Sequence, residues 1–466
     1  MNKKNYGRAA RLIMGALAFF LPWGIFGQES GQRPVMRLSP GEAVDLALRN
    51  NLGLESSRIG VEGAKRKSDL SWNSFVPGVN VRGGLTRDNE QSSATIIVPM
   101  PPYAVSYQSP QWHVAGSLQA DLTVNLAMFE AMRTLRLEYE RGIISYEAAR
   151  AQLERDVRQA YYRILLAEES VKLNRENFSN ADRRVSMARD NYQAGLAPEL
   201  SLLQAQVARE NIRPVIDQAE NSLKAAMAQF AMILGLEYNT QFEFIPVEDE
   251  PGFIPLDVAE LISRAASGKP DILALKQSIL TLESRRRALK FSNLTPSLSL
   301  SWNSTQAFTQ DPWKTGWFDN MDNWMQSGSL TIALSLRLHS FLPFSADYQG
   351  IRDLDDSLRS TSIGLAQAIQ GTELEIYNTV LSLERTRTSA EAQSLTITLA
   401  EQAYSLTEEA YRAGLQDLLE VQNAEFALHQ ARLQMLEQNF NYRIGLIDLE
   451  YAIGVPFGTL SSKGSE

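Results

Sequence analysis

The chain has 466 residues, 44% of them hydrophobic and 21% charged, with a formal net charge of -9. That composition excludes a disordered chain, and the acidic balance excludes a nucleic-acid surface, which needs a basic stripe to displace phosphate counterions. There is no cysteine, so disulfides, thiol catalysis, thiolate metal centres and a lipid-anchored N-terminal cysteine are excluded too.

Residues 1–27 read as an export signal. Lys3, Lys4, Arg8 and Arg11 form a basic start, an apolar run over 12–26 is interrupted by Pro22, and Gly24 and Gly27 place cleavage near Gly27. An uncleaved anchor is the alternative reading. Beyond this segment no run of 18 apolar residues follows, so no membrane-spanning helix is expected. An exported chain of this kind is periplasmic, secreted, or a β-barrel.

A helix is expected over about 40–73, followed by a pair of strands. The first strand carries Val79, Val81 and Leu85. In the second, Val114, Gly116, Leu118, Ala120, Leu122, Val124 and Leu126 alternate with small or polar residues. A period of two with one apolar face fits a half-buried or membrane strand. The connection over 87–113 is long and aromatic, with Tyr103, Tyr107 and Trp112, as in the girdle and external loop of a membrane barrel.

From 129 to 194 there is no proline. Val157, Ile164, Val171, Phe178, Val185 and Tyr192 recur every seven residues, and Ala160, Ala167, Asn174, Ala181 and Ala188 sit three positions on. This is a coiled-coil seam with large residues at one position and mostly small ones at the other. At 1.5 Å per residue such a helix is roughly 100 Å long. Gly195 is placed to end it as a left-handed cap. A returning helix then runs to about Gly235, with Pro214 expected to kink it.

The second half repeats the first. Y-Q-A-G-L begins at Tyr192 and Y-R-A-G-L at Tyr411; the same offset of 219 maps Leu202 onto Val421, Ala205 onto Ala424, Gly235 onto Gly454 and Pro77 onto Pro296. It brings a helix over about 256–291, with Asp257 and Asp271 as candidate caps. Strands follow around Leu298, Leu300 and Trp302, and around Leu330, Ile332, Leu334, Leu336 and Leu338, joined by a loop holding Trp313, Trp317, Phe318 and Trp324. A long helix then carries Ile376, Leu383, Ala390, Ile397, Tyr404 and Tyr411. The organisation read from this is a signal over 1–27, a first repeat over 28–245, a linker over 246–256, a second repeat over 257–455 and a tail over 456–466. Four strands are too few to close a barrel, and an open edge in lipid costs several kcal/mol per unpaired group. The chain must therefore oligomerise if the strands face lipid. A soluble two-sheet sandwich is the competing reading of the strands.

With its signal, two halves, two strands per half, long helices and Y-x-A-G-L turns, the chain resembles the TolC-like outer-membrane efflux family. The resemblance implies a mainly α fold with transmembrane β: long antiparallel coiled-coil helices forming a periplasmic tunnel, and four strands per chain contributing to a homotrimeric twelve-stranded barrel in outer-membrane lipid. It implies an exit duct for efflux or type I secretion, partnered by a periplasmic adaptor (membrane fusion) protein and an inner-membrane transporter. Gly195, Leu196, Gly414 and Leu415 match the tip where adaptors dock. Glu420 matches an acidic entrance residue, Tyr411 a tyrosine that helps hold the entrance shut, and Asp417 and Glu199 add negative charge nearby. Position 423 is Asn, and Ser201 and Gln204 stand in the first half, so the double acidic ring of some members is not reproduced. Gln416 replaces an arginine of their salt-bridge lock.

No enzyme is expected. His113 in a loop, His339 at a strand end and His429 on a returning helix show no metal-ligand spacing, and neither a phosphate-binding glycine loop nor a nucleophile turn is present. The expectation is therefore no catalytic residue, no metal, no cofactor and no nucleic-acid partner. A periplasmic coiled-coil scaffold or adaptor-like binding protein is the second functional reading; it leaves the four strands unexplained.

Overall fold

The computed structural model describes residues 35–90, 93–99, 102–246, 256–317 and 320–462. The expected signal, most of the expected linker, Phe318 and the side chains of Tyr103 and Tyr107 lie outside the described residues.

A short strand, β1 (Met36–Leu38), leads into α1 (Pro40–Asn50). Its start is a capping box: the Ser39 hydroxyl accepts from the Glu42 N–H at 3.3 Å, and the Glu42 carboxylate accepts from the Ser39 N–H at 2.8 Å. The one helix expected over 40–73 is two, because extended Asn51 ends α1 and caps α2 (Leu52–Asp69). The Asn51 side chain accepts from the Leu54 N–H and donates to the Ile233 carbonyl, both at 3.0 Å. After β2 (Gly78–Arg87), β3 (Ser93–Pro99), β4 (Pro102–Gln108) and β5 (Trp112–Val124) comes α3 (Ala127–Gln193), 67 residues without a break. The returning helix α4 (Glu199–Ile233) stays helical through Pro214.

The second repeat rebuilds this pattern. Following β6 (Phe242–Phe244) come α5 (Val258–Gly268), α6 (Pro270–Leu294), β7 (Ser297–Phe308) and β8 (Trp324–Ser335). Then follow α7 (Ala346–Arg412), again 67 residues, α8 (Leu418–Ile453) and a short α9 (Thr459–Ser462). Asp257 caps α5 through the Ala259 N–H at 2.9 Å. Asp271 lies in the first turn of α6, whose cap position is Lys269; Pro270 at the first helical position sets that start. His113 is the second residue of β5 rather than a loop residue.

The helices form a layer one helix thick. In the half near the strands the order is α2, α3, α6, α7; in the other half it is α4, α3, α8, α7. The long helices run through both halves while the shorter ones meet end to end. Gly235 and Gly454 mark the junctions, with φ of 71° and 70°. A Cβ on Gly235 would lie 2.3 Å from the Asn50 carbonyl oxygen, and one on Gly454 would lie 2.9 Å from Gly268.

The core sits at this level. Val157, Tyr161 and Ile164 of α3 pack with Phe230, Phe242 and Phe244, and in the second repeat Ile376, Val380 and Leu383 pack with Leu446, Leu449 and Ile453. β1 and β6 pair in parallel there, which places Phe242 and Phe244 in the core. The Tyr161 hydroxyl ties them down: it lies 2.9 Å from the carbonyls of Leu38 and Ile245 and accepts from the Ile245 N–H at 3.0 Å. Burial pushes its pKa up to about 12, so the phenol stays neutral. Tyr161→Phe is expected to cost about 1–3 kcal/mol by stranding these groups, read as a lowered denaturation midpoint.

The tail is also anchored. Buried Glu450 accepts from the N–H groups of Gly458 at 2.9 Å and Leu460 at 2.7 Å. Burial raises its pKa, and the two amides act in the opposite sense.

Candidate functional site

Strands β2, β5, β7 and β8 form one antiparallel sheet in that order. The earlier strands of the two pairs, β2 and β7, span 10 and 12 residues. The register aligns the apolar residues in rows: Leu122–Leu300–Ile332, then Val79–Ala120–Trp302–Leu330, then Leu85–Val114–Phe308–Trp324. The opposite face carries Asn80, Arg82, Gln119, Asp121, Ser299, Asn303, Ser329 and Thr331. A sandwich would bury the apolar face, but Val81 is 80%, Ile332 67% and Leu330 64% exposed. From Leu298 to Phe308, ten steps of ~3.4 Å tilted by ~45° rise roughly 24 Å. That matches the apolar band of about 25 Å on membrane barrels.

Aromatic side chains close the end of the sheet remote from the helices. Trp112 meets Trp313 edge-on at 5.8 Å, and Phe308 meets Trp324 at 5.2 Å. The Trp324 indole donates to the Trp317 carbonyl at 2.6 Å, and the Trp317 indole to that of Pro312 at 2.9 Å. The connection over 87–113, read as a loop, contains the hairpin β3–β4. Its mixed Pro, Ile and Tyr content hid the pairing.

Each chain is thus shaped like a stave. β2 and β8 are the unpaired edges of the sheet. The helical layer ends on the same sides, with α2 and α4 continuing the β2 edge and α7 the β8 edge. Along α7, Leu374, Leu381, Leu395, Leu399 and Leu406 are exposed, a second seam distinct from the buried one at Ile376, Leu383 and Ala390.

The far end of the helices holds the residues singled out in the sequence. Gly195 and Gly414 adopt φ of 71° and 75°. The Leu196 N–H donates to the Asn191 carbonyl and the Leu415 N–H to that of Ala410, both at 2.8 Å, completing Schellman motifs. Leu196 and Leu415 are each 79% exposed. Val185, Ala188, Ala205 and Leu418 form one apolar cluster, with Leu202 and Tyr411 against it, so the two turns lie at the same end. Tyr411 is half-buried in this packing, whereas Tyr192, its repeat counterpart, is exposed. Glu199, Asp417 and Glu420 are exposed. Glu199 and Glu420 lie in first helical turns, where negative charge complements the helix dipole.

The contact between the repeats differs from the apolar seams within them. Along α3 and α8, Arg155 stacks on Tyr451 at 4.5 Å, Asn174 meets His429 at 3.1 Å, and Arg184 contacts Glu425. Burial lowers the His429 pKa, with Arg432 adding to the effect. The Arg184–Glu425 pair went unread in the sequence. Its signal was a glutamate inside the buried stripe Leu418, Val421, Glu425, Leu428.

Comparison with known proteins agrees with this geometry. The family model described as "Outer membrane efflux protein" matches residues 43–236 and 261–455. The toluene efflux pump outer membrane protein TtgF of Pseudomonas putida is 21% identical over 461 residues, covering 95% of this chain and 87% of that protein. The outer membrane protein TolC of Salmonella enteritidis is 21% identical over 368 residues, covering 76% and 72%. Among solved structures, the Campylobacter jejuni CmeC outer membrane channel has a TM-score of 0.72 at 16% identity, covering 91% of this chain and 88% of that one.

Proposed function

Because the chain belongs to the outer membrane efflux protein family, we propose that three copies close into an outer-membrane exit duct that passively conducts cargo delivered by an inner-membrane transporter through a periplasmic adaptor. One observation carries this reading: a sheet with an apolar exposed face and two unpaired edges, continued by a helical layer whose edges fall on the same sides. β8 of one copy is antiparallel to β2 of the next, since direction alternates across four strands. Lateral pairing then satisfies every edge, as lipid demands. Three copies supply twelve strands, an even number within the range of bacterial barrels. Leu406, the exposed leucine of α7 nearest the tip, faces Leu200, Leu203 and Val207 of the next α4 in the same closure.

The polar face lines the bore, and the apolar face meets outer-membrane lipid. The adaptor docks at the tip, where Gly195–Leu196 and Gly414–Leu415 project with exposed Leu419 beside them. Tyr411 holds α7 to the tip cluster. Glu420 forms the entrance ring, with Asp417 and Glu199 adding negative charge. Two such carboxylates ~7 Å apart repel by about 0.6 kcal/mol in water, so a cation at the mouth is favoured. The duct itself performs no covalent chemistry; energy and cargo selection lie with the transporter.

The test is assembly and conduction. The mature protein, extracted in detergent, is expected to run as a heat-dissociable trimer and to conduct in planar bilayers; a water-soluble monomer would end the proposal. In the same recordings Glu420→Gln is expected to weaken block by hexaamminecobalt several-fold. Unchanged block would remove Glu420 from the entrance.

A further inference from the structure

The splice where α2 meets α4 carries an apolar stripe that its own chain leaves bare. Asn51, just ahead of α2, donates to the carbonyl of Ile233, the last residue of α4, at 3.0 Å, so Leu52 and Met232 stand on either side of the joint, 81% and 70% exposed. Two residues along a helix turn a side chain by about 200°. Met232 is two beyond Phe230 and Leu52 two before Leu54, both buried, and exposed Ile59 is two before Val61, which lies beside Gly142 of α3. The stripe of Leu52, Ile59 and Met232 therefore points away from α3, toward the free edge of the layer. On the opposite edge, exposed Leu374 and Leu381 are two before buried Ile376 and Leu383, so they point away from α8 in the same manner.

We propose that the stripe across this splice is the seat of α7 from a second copy of the chain, with Leu374 and Leu381 as the covering residues. The inference rests on the closure of copies described above and adds that the joint is complete only when the neighbour's unbroken rod lies across it. The levels match. Met232 is 33 residues from the tip end of α4, about 50 Å, and the residue equally far from the tip end of α7 is Thr379, between Leu374 and Leu381. The cores behind the two stripes lie side by side within the chain, since Gln159 of α3 is bonded to Asp448 of α8. The two edges are also those that the strands leave open, β2 on one side and β8 on the other. Lipid does not reach the stripe: Leu374 is 28 residues, roughly 42 Å, from the strand end of α7. Contiguous bare apolar residues on a folded chain mark an association surface, and here both halves of one are present on the same molecule.

The experiment uses the absence of cysteine from the chain. Met232→Cys and Leu374→Cys are placed in one chain, and the detergent-solubilised oligomer is treated with a short bismaleimide. Covalent dimers and trimers that survive boiling are expected, and neither single variant yields them. Met232→Cys with Leu399→Cys, on the same face of α7 but roughly 38 Å nearer the tip, is expected to give none. Leu52→Ser and Leu374→Ser, both exposed in the single chain, are each expected to lower the temperature at which the oligomer dissociates by several degrees, and Leu415→Ser at the tip to leave it unchanged. A heat-dissociable oligomer that does not link through 232 and 374, or links equally through 232 and 399, overturns the inference and leaves the duct standing. Absence of any oligomer ends both. Linkage of position 232 to a different protein in cells, with no link between copies, gives the stripe to that protein and overturns the inference as well.

Discussion

Replacing Leu330 with arginine is expected to abolish the heat-dissociable oligomer, while Thr331→Arg, one residue away, leaves it assembled. Leu330 sits mid-strand in a row with Val79, Ala120 and Trp302, and Thr331 lies on the opposite face beside Ser301. An arginine on the lipid face near the bilayer midplane costs about 2–4 kcal/mol, and closure brings that cost once per copy. On the polar face the guanidinium meets water and hydroxyls. Semi-native electrophoresis of membrane fractions reads both variants. Equal tolerance would mean that the two faces do not meet different solvents, and the barrel would be lost with that result.

The second large effect is expected at the helix junctions. Gly235→Ala and Gly454→Ala should each destabilise by about 2–5 kcal/mol. The left-handed conformation costs an L-residue roughly 1–2 kcal/mol, and forcing a methyl against fixed backbone adds about 1–3 kcal/mol. At Gly235 that backbone is the Asn50 carbonyl, and at Gly454 it is Gly268. Gly195→Ala and Gly414→Ala share the positive φ but point the new methyl into open space, so only the first cost applies. Urea unfolding followed by helical circular dichroism separates the pairs. Four equal losses would show that abutting ends do not constrain the junctions.

Much of this architecture was legible because period and duplication reinforce each other. The seven-residue recurrence through Val157, Ile164, Val171 and Val185 located α3, and these residues are buried. Alternation located all four sheet strands, since one face had to be apolar throughout. The Y-x-A-G-L turns located the tip, because few sequences other than glycine accept a left-handed cap followed by an exposed leucine. The misses have physical reasons as well. Asn51 ended a helix by capping the next one, and an apolar count cannot distinguish that from continuation. His113 read as a loop residue because the strand runs past the apolar stretch into the aromatic rim. The β3–β4 hairpin lacks the clean alternation of a half-buried strand. Glu425 was passed over because charge on a helix ordinarily means solvent, and its burial depends on α3, distant in sequence. The residues proposed for the entrance were read as positions, not as a constellation: Tyr411 packs inward, whereas Glu420 and Asp417 are exposed within the single chain, so any shared axis would arise only between copies.

The end-to-end meeting of the shorter helices has a mechanical consequence. Gly235 and Gly454 interrupt two of the four rods at the level of Tyr161 and Leu449, while α3 and α7 pass that level intact. A push along the axis at the tip is therefore transmitted by the unbroken rods straight to the strands. Torsion meets less resistance, because half of the cross-section is spliced there and held by side-chain packing and the short β1–β6 pair rather than by continuous helix. The section midway along the molecule is therefore where twisting is expected to concentrate.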